Sequence, residues 1–247
     1  MDNNIKLDVR VYPLDELAQD VPAKGATLAF ANVGIDDMVA ISGIRVVQGE
    51  KGAFVTMPQS QDKDGIYHDI AFPVNSELRK EMNKAVLAEF NSPTRAEDGQ
   101  YHGRSVSAKT TAERNDSLDA RVFPIADPKG STRAFANITF DNIIAISGVR
   151  VVDGTNGLFV TMPQSKDKDG GYHDIAFPIN GDLRKELNKA VLAEFNAPTK
   201  NRSNDRSHFA DSLAAGKEKA AAYVKPAQQA SAAKKSPTRA GLAGLGD

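Results

Sequence analysis

The chain has 247 residues, 40% apolar and 26% charged, with a formal net charge of −1. That composition suits a soluble globular protein and leaves room for one large domain or two of about 100–150 residues. The absence of cysteine excludes disulfides, thiolate metal sites and cysteine nucleophiles. No apolar run approaches the roughly 18 residues that cross a bilayer. The opening MDNNIKLDVR lacks the basic-then-apolar pattern of a signal peptide. No membrane association and a cytoplasmic location are expected.

Read in chain order, the sequence repeats itself. LDVRVYP at 7–13 returns as LDARVFP at 118–124, and residues 25–90 return at 130–195 at a constant offset of 105, with about seven positions in ten identical. The two stretches differ in spacing because the turn LDELAQDVPAKG is six residues longer than its counterpart IADPKG, and surface turns absorb insertions. This reads as two homologous domains, 5–91 and 118–196, rather than a solenoid, whose repeats are shorter. A domain this small buries only about 60% of its unfolded surface, so pairing of the two repeats within the chain is expected.

Within a repeat, AFANITF alternates, with Ala136, Ile138 and Phe140 on one face and Asn137 and Thr139 on the other, as a half-buried strand does. Asp141-Asn142 then turns the chain into IIAISGVRVVDG, where the apolar phase slips from Ile144 and Ile146 to Val149 and Val151 around Gly148; that slip predicts a β-bulge. GLFVTMP is a further strand ended by Pro163, which lacks an N–H for the ladder. DKDG supplies a tight turn, and GYHDIAFP reads as one short returning strand. Asn180 then offers an N-cap, followed by Leu183, Leu187, Ala190, Val191 and Phe195 at helical spacing. The first repeat does the same with Asn75, Leu78, Met82, Ala85, Val86 and Phe90. The expected fold class is α+β: two small domains, each an antiparallel β-meander closed by a C-terminal α-helix.

The segment 92–117 is polar and aperiodic and reads as a flexible linker; a chain of that length spans about 28 Å on average, enough for the domains to lie side by side. The tail 197–247 is rich in Ala and Lys. From Asn196 onward there are nine Lys or Arg against four Asp or Glu. A mostly disordered tail is expected, with one weak helix near SHFADSLAAGKEKAAAYV. A basic tail on an otherwise acidic chain suits an anionic partner or serves solubility.

Several motifs invite chemistry but also have plainer readings. DKDG begins like a calcium loop, but Gly65 is fourth from Asp62 and Pro73 twelfth, where an EF-hand needs Gly sixth and Glu twelfth; a hairpin turn is the better reading. His68-Asp69 and His173-Asp174 are adjacent in a strand, where neighbouring side chains face opposite ways, so neither forms a triad-like pair. Arg45 and Arg150 interrupt apolar strands and need either an ion-pair partner or the open face of the sheet. On the helices, Arg79, Lys80 and Lys84, like Arg184, Lys185 and Lys189, form a basic stripe interleaved with acids such as Glu81 and Glu186, as on a solvated face. No phosphate loop, metal-ligand cluster or catalytic carboxylate pair is evident. No enzymatic activity, cofactor, metal or small-molecule substrate is expected.

These elements in this order resemble the SpoVG family of bacterial septation and sporulation regulators. The resemblance rests on DVRV or DARV, FANITFD, GVRVVDGTNGLF, MP followed by DG, DIAFPIN and a helix ending AVLAEF. It covers both repeats but neither the linker nor the tail. It implies an α+β domain that dimerises through its sheet and acts as a nucleic-acid-binding regulator rather than an enzyme. In the family a Lys-Arg pair commonly follows the MPS turn and is associated with nucleic acid; here those positions are Ser60-Gln61 and Ser165-Lys166. The expected contacts to DNA or RNA are therefore Lys166, Lys168 and Lys63 in the loops and Arg184, Lys185 and Lys189 on the second helix. The alternative is a protein-interaction scaffold that has lost nucleic-acid binding.

Overall fold

In β1 (Asn4–Pro13), Ile5, Leu7, Val9 and Val11 are buried while Lys6, Arg10 and Tyr12 face outward, the period of two that pins one face of a strand to a core. The computed structural model describes residues 4–14, 23–62, 64–95, 102–111, 114–115, 117–167 and 169–197. After β1 come β2 (Thr27–Ile35), β3 (Val39–Gly49), β4 (Gly52–Thr56), β5 (Gln59–Gln61), β6 (Tyr67–Asp69), β7 (Ala71–Pro73) and α1 (Ser76–Asn91). A strand in the linker, β8 (Arg104–Lys109), separates these from the second repeat. That repeat holds β9 (Leu118–Pro124), β10 (Thr132–Phe140), β11 (Ile144–Gly154), β12 (Gly157–Thr161), β13 (Gln164–Lys166), β14 (Tyr172–Asp174), β15 (Ala176–Pro178) and α2 (Gly181–Asn196). The described residues are thus mostly antiparallel sheet with one helix after each β-rich half, the α+β architecture the pattern predicts.

Local chemistry sets the turns. Asp36-Asp37 and Asp141-Asn142 take positive φ at both positions, as a type I′ turn requires and as Asp and Asn tolerate. The turns close through Met38 N–H to the Ile35 carbonyl (2.9 Å) and Ile143 N–H to the Phe140 carbonyl (2.8 Å). The bulge predicted at Gly148 is present. Between the pairs Ala136–Val149 and Ile138–Ile146, one residue of β10 faces two of β11, and Gly148 sits at φ +78°. Gly43 does the same in β3.

The reading of GYHDIAFP as one strand needs correction. The chain breaks pairing at Ile175: β14 folds back on β13, while β15 crosses to β3 of the first repeat, with Ala176 opposite Ile41. Reciprocally, β7 pairs with β11, Ala71 opposite Ile146. Ile175 is the hinge between the two partners. Its N–H donates to Pro163 of its own repeat (2.8 Å) and its carbonyl accepts from Ser42 of the other (2.7 Å). Ile70 bridges Pro58 and Ser147 likewise. Alternation in sequence specifies which face of a strand is buried but not which edge it joins, which is why the exchange was not legible. The sheets run β15-β3-β2-β1-β8 with β4 also on β3, and β12-β11-β10-β9 with β7 on β11. One hydrophobic core is shared by both repeats.

The linker is more than a tether. Its strand β8 pairs antiparallel with β1, Ala108 opposite Ile5 and Val106 opposite Leu7. Farther along, Arg114 reaches the turn of each repeat, Nε to Asp141 at 2.5 Å and Nη1 to Asp36 at 2.7 Å. Short strands of Ser, Val and Lys carry too weak a pattern to be read against the polar background.

Both helix caps form as expected: Asn75 and Asn180 each accept at 2.7 Å from the amide of Leu78 and Leu183. Leu78, Met82, Ala85, Val86 and Glu89 of α1 are buried, but only Leu187 and Val191 of α2. The difference lies in β8, which packs against α1. The expectations for the tail fall outside the described residues, Ala197 apart.

Candidate nucleic-acid interface

The β5–β6 and β13–β14 hairpins are each built around a loop aspartate. In the second repeat, Asp167 accepts from Gly171 N–H (2.6 Å), and its other oxygen meets His173 Nε2 at 2.7 Å. In the first, Asp62 accepts from Ile66 and Asp64 N–H (2.8 and 3.0 Å) and meets His68 Nε2 at 2.6 Å. The histidine beside it, aided by these backbone amides, holds each carboxyl below its ordinary value. DKDG is thus a self-capped hairpin loop, and each histidine serves the loop aspartate instead of its sequence neighbour. Among the described residues, no group of three or more His, Cys, Asp or Glu is placed to hold a metal ion.

The hairpins differ at the third residue of β5 and β13. Gln61 turns inward, its Nε2 donating to the Gly65 carbonyl at 3.1 Å. Lys166 instead carries its ammonium over the exposed ring of Tyr172, 5.8 Å from the centroid, within cation–π range. Among the described residues it has no acidic partner. Lys63 and Lys168 lie outside the described residues.

On α2 the predicted cations divide. Arg184 donates to Asp174 Oδ2 (2.9 Å), whose other oxygen accepts from Gln164 (2.9 Å); this ties the helix to the hairpin. Lys185 pairs with Asp182 at 3.0 Å on an exposed surface, where such pairs contribute little. Lys189 is exposed and unpaired among the described residues. Arg79 repeats the Arg184 arrangement, donating to Asp69 (2.8 Å) and lying 5.8 Å from the Phe72 ring.

A cleft of about 820 Å³ joins the repeats: Tyr172, Asp174 and Arg184 line it from one side, Asn32 and Ser42 of the first repeat from the other. The exchange of β15 brings these groups together. Sequence reasoning missed both the cleft and the exposed phenylalanines on the sheets, Phe30 and Phe135. A signal existed, since Phe135 falls in the strand phase of Asn137 and Thr139, the outward one.

A family model described as SpoVG matches residues 6–92 and 116–197. The chain belongs to the SpoVG family. It is similar to the septation protein SpoVG of Caldanaerobacter subterraneus subsp. tengcongensis, 42% identical over 86 residues, which is 35% of this chain and 93% of that protein. The SpoVG protein of Myxococcus xanthus is 42% identical over 77 residues, 31% of this chain and 76% of its own length. That of Oceanobacillus iheyensis is 48% identical over 67 residues, 27% and 70% respectively. Each alignment has about the length of one repeat, and the family match occurs twice in this chain. Among the described residues no helix is long and apolar enough to cross a membrane.

Proposed function

We propose that this two-domain SpoVG-family chain is a non-enzymatic cytoplasmic regulator of the septation and sporulation type that binds DNA or RNA. The contacts are Lys166 and Lys168 of the second hairpin with Lys189 and its neighbours on α2, aided by the basic tail. Lys63 of the first hairpin contributes less. The observation that carries this reading is the exposed Lys166 ammonium, unpaired among the described residues and poised over an exposed tyrosine ring. Such a group neutralises phosphate while the ring offers a stacking surface. The exchanged strands let the two repeats take the place of a homodimer, so light scattering at micromolar concentration should report a monomer. Fluorescence anisotropy of labelled DNA and RNA at two salt concentrations tests the function: binding that weakens with salt supports it, and no binding at low salt removes it.

A second reading, a protein-interaction scaffold, draws on the pairing of Arg184 with Asp174 and of Lys185 with Asp182 and on Gln61 folded into its own loop. It takes precedence if low-salt titration shows no binding.

A further inference from the structure

The outward face of each sheet carries the same row of side chains. In the first repeat, register places Tyr12 opposite Phe30, Phe30 opposite Arg45 and Arg45 opposite Thr56, one residue from each of β1, β2, β3 and β4. In the second, Phe123, Phe135, Arg150 and Thr161 stand opposite one another across β9, β10, β11 and β12. Directly opposed residues have Cβ atoms about 5 Å apart, so each row is continuous.

Four features of the rows are unusual for a surface that only meets water. Phe30 is 42% exposed and Phe135 48%, although both sit mid-strand, where an apolar ring would be expected inward. Arg45 and Arg150 are half-buried and have no acidic partner among the described residues. Of the two readings left open by the sequence, the described residues favour the open face over a structural ion pair. The hydroxyls opposite them, Thr56 Oγ1 and Thr161 Oγ1, are buried without a hydrogen-bond partner. All of this occurs twice, and the row of the first repeat adjoins Asn32 and Ser42 of the inter-repeat cleft, placing it beside Tyr172 and Arg184.

We infer that these rows are stacking platforms for single-stranded RNA, an inference that rests on the nucleic-acid reading above. Two aromatic rings on neighbouring strands give flat faces for two consecutive bases, and the adjacent half-buried arginine supplies positive charge for the intervening phosphate. A duplex keeps its base faces stacked inside and cannot use such rings. Ser42 and Asn32, half-buried and lining the adjoining cleft, carry a hydroxyl and an amide suited to the 2′-hydroxyl, which both donates and accepts and which DNA lacks.

The test uses the full chain and fluorescein-labelled oligouridine, oligothymidine of equal length and a duplex, read by anisotropy. Wild type should bind oligouridine at least fivefold more tightly than either competitor. Phe30→Ala with Phe135→Ala should weaken oligouridine binding about fivefold or more, since each stacked base contributes about 1 kcal/mol or more. Phe30→Leu with Phe135→Leu, which keeps the apolar volume but loses the flat ring, should weaken it similarly while leaving the melting temperature near wild type. Oligouridine binding that is lost on Lys166→Gln with Lys168→Gln but unchanged in both phenylalanine variants overturns the platform and leaves the proposed function intact. Equal affinity for oligothymidine, or preference for duplex, overturns the assignment to single-stranded RNA. No binding of any probe by wild type overturns both readings.

Discussion

The two repeats share about seven residues in ten, yet they are not used alike. Each lends the other a three-residue strand, and in that exchange they are equivalent. They differ in the segment after the helix and in the hairpin. Beyond α1 the chain supplies β8, which completes a six-stranded sheet, and Glu89 becomes 1% exposed. That carboxylate is satisfied by Thr94 N–H and Oγ1 (2.6 and 3.0 Å) and by Arg104 at 3.3 Å. Beyond α2 the described residues end, and the equivalent Glu194 is only half-buried. In the hairpin, Gln61 is absorbed by its loop whereas Lys166 faces outward. The first repeat thus invests its differences in burial, the second in exposed charge. A duplicated fold can keep its core in common while one copy diverges in burial and the other in exposed charge.

The symmetric part of this comparison should give the largest effects. Ala71 and Ala176 are both fully buried where the exchanged strands meet the opposite sheet. Ala71→Asp or Ala176→Asp places an unpaired charge there, and each should cost more than about 3 kcal/mol. Thermal denaturation should show comparable losses and a single transition for both repeats. Unequal losses, or two separate transitions, would break the equivalence. A smaller effect should reveal the asymmetry of the helices. Leu78→Ala empties a fully enclosed site and should cost about 3 kcal/mol, while Leu183→Ala at a half-buried one should cost about 1–2. Urea midpoints of the two variants would measure the gap.

The smallest expected effect sits in the hairpin loops, where the repeats again agree. The carboxyls of Asp62 and Asp167 titrate below their ordinary value because the neighbouring histidine and backbone amides favour the charged form. A depressed folded value means that the stabilisation is present above the unfolded value and is lost as pH falls through the folded one. Loop order should therefore fade only in acid. NMR titration should find both midpoints depressed, and His68→Gln and His173→Gln should each raise the midpoint of the aspartate in its own loop.

Much of this organisation was legible in sequence, for identifiable reasons. The helices announced themselves through apolar spacing and the caps Asn75 and Asn180, and the bulge through a phase slip at a glycine. Both are local signals that the structure obeys. The hidden part depends on edges. Ala71 to Pro73 and Ala176 to Pro178 have the composition of short strands, but nothing in them specifies a partner in the other repeat. β8 was masked by its serines, and Arg114 by a polar stretch in which an arginine is unremarkable. The open-face rows were half visible: Arg45 and Arg150 stood out as charges in apolar strands, while Phe30 and Phe135 were passed over because an aromatic residue in a strand usually points inward.

The division of labour between the hairpins is tested most directly by comparing charge removal in each. One labelled oligonucleotide, titrated at two salt concentrations by anisotropy, serves for wild type, Lys166→Gln with Lys168→Gln, and Lys63→Gln. The double variant should bind tenfold more weakly or worse, about 1.4 kcal/mol. Its salt dependence should flatten by about two units, one for each phosphate that no longer meets a lysine. Lys63→Gln should change affinity less, because Gln61 has already removed the neighbouring charge. Equal losses from the two loops, or a double variant that binds like wild type, would contradict the assignment of recognition to the second repeat.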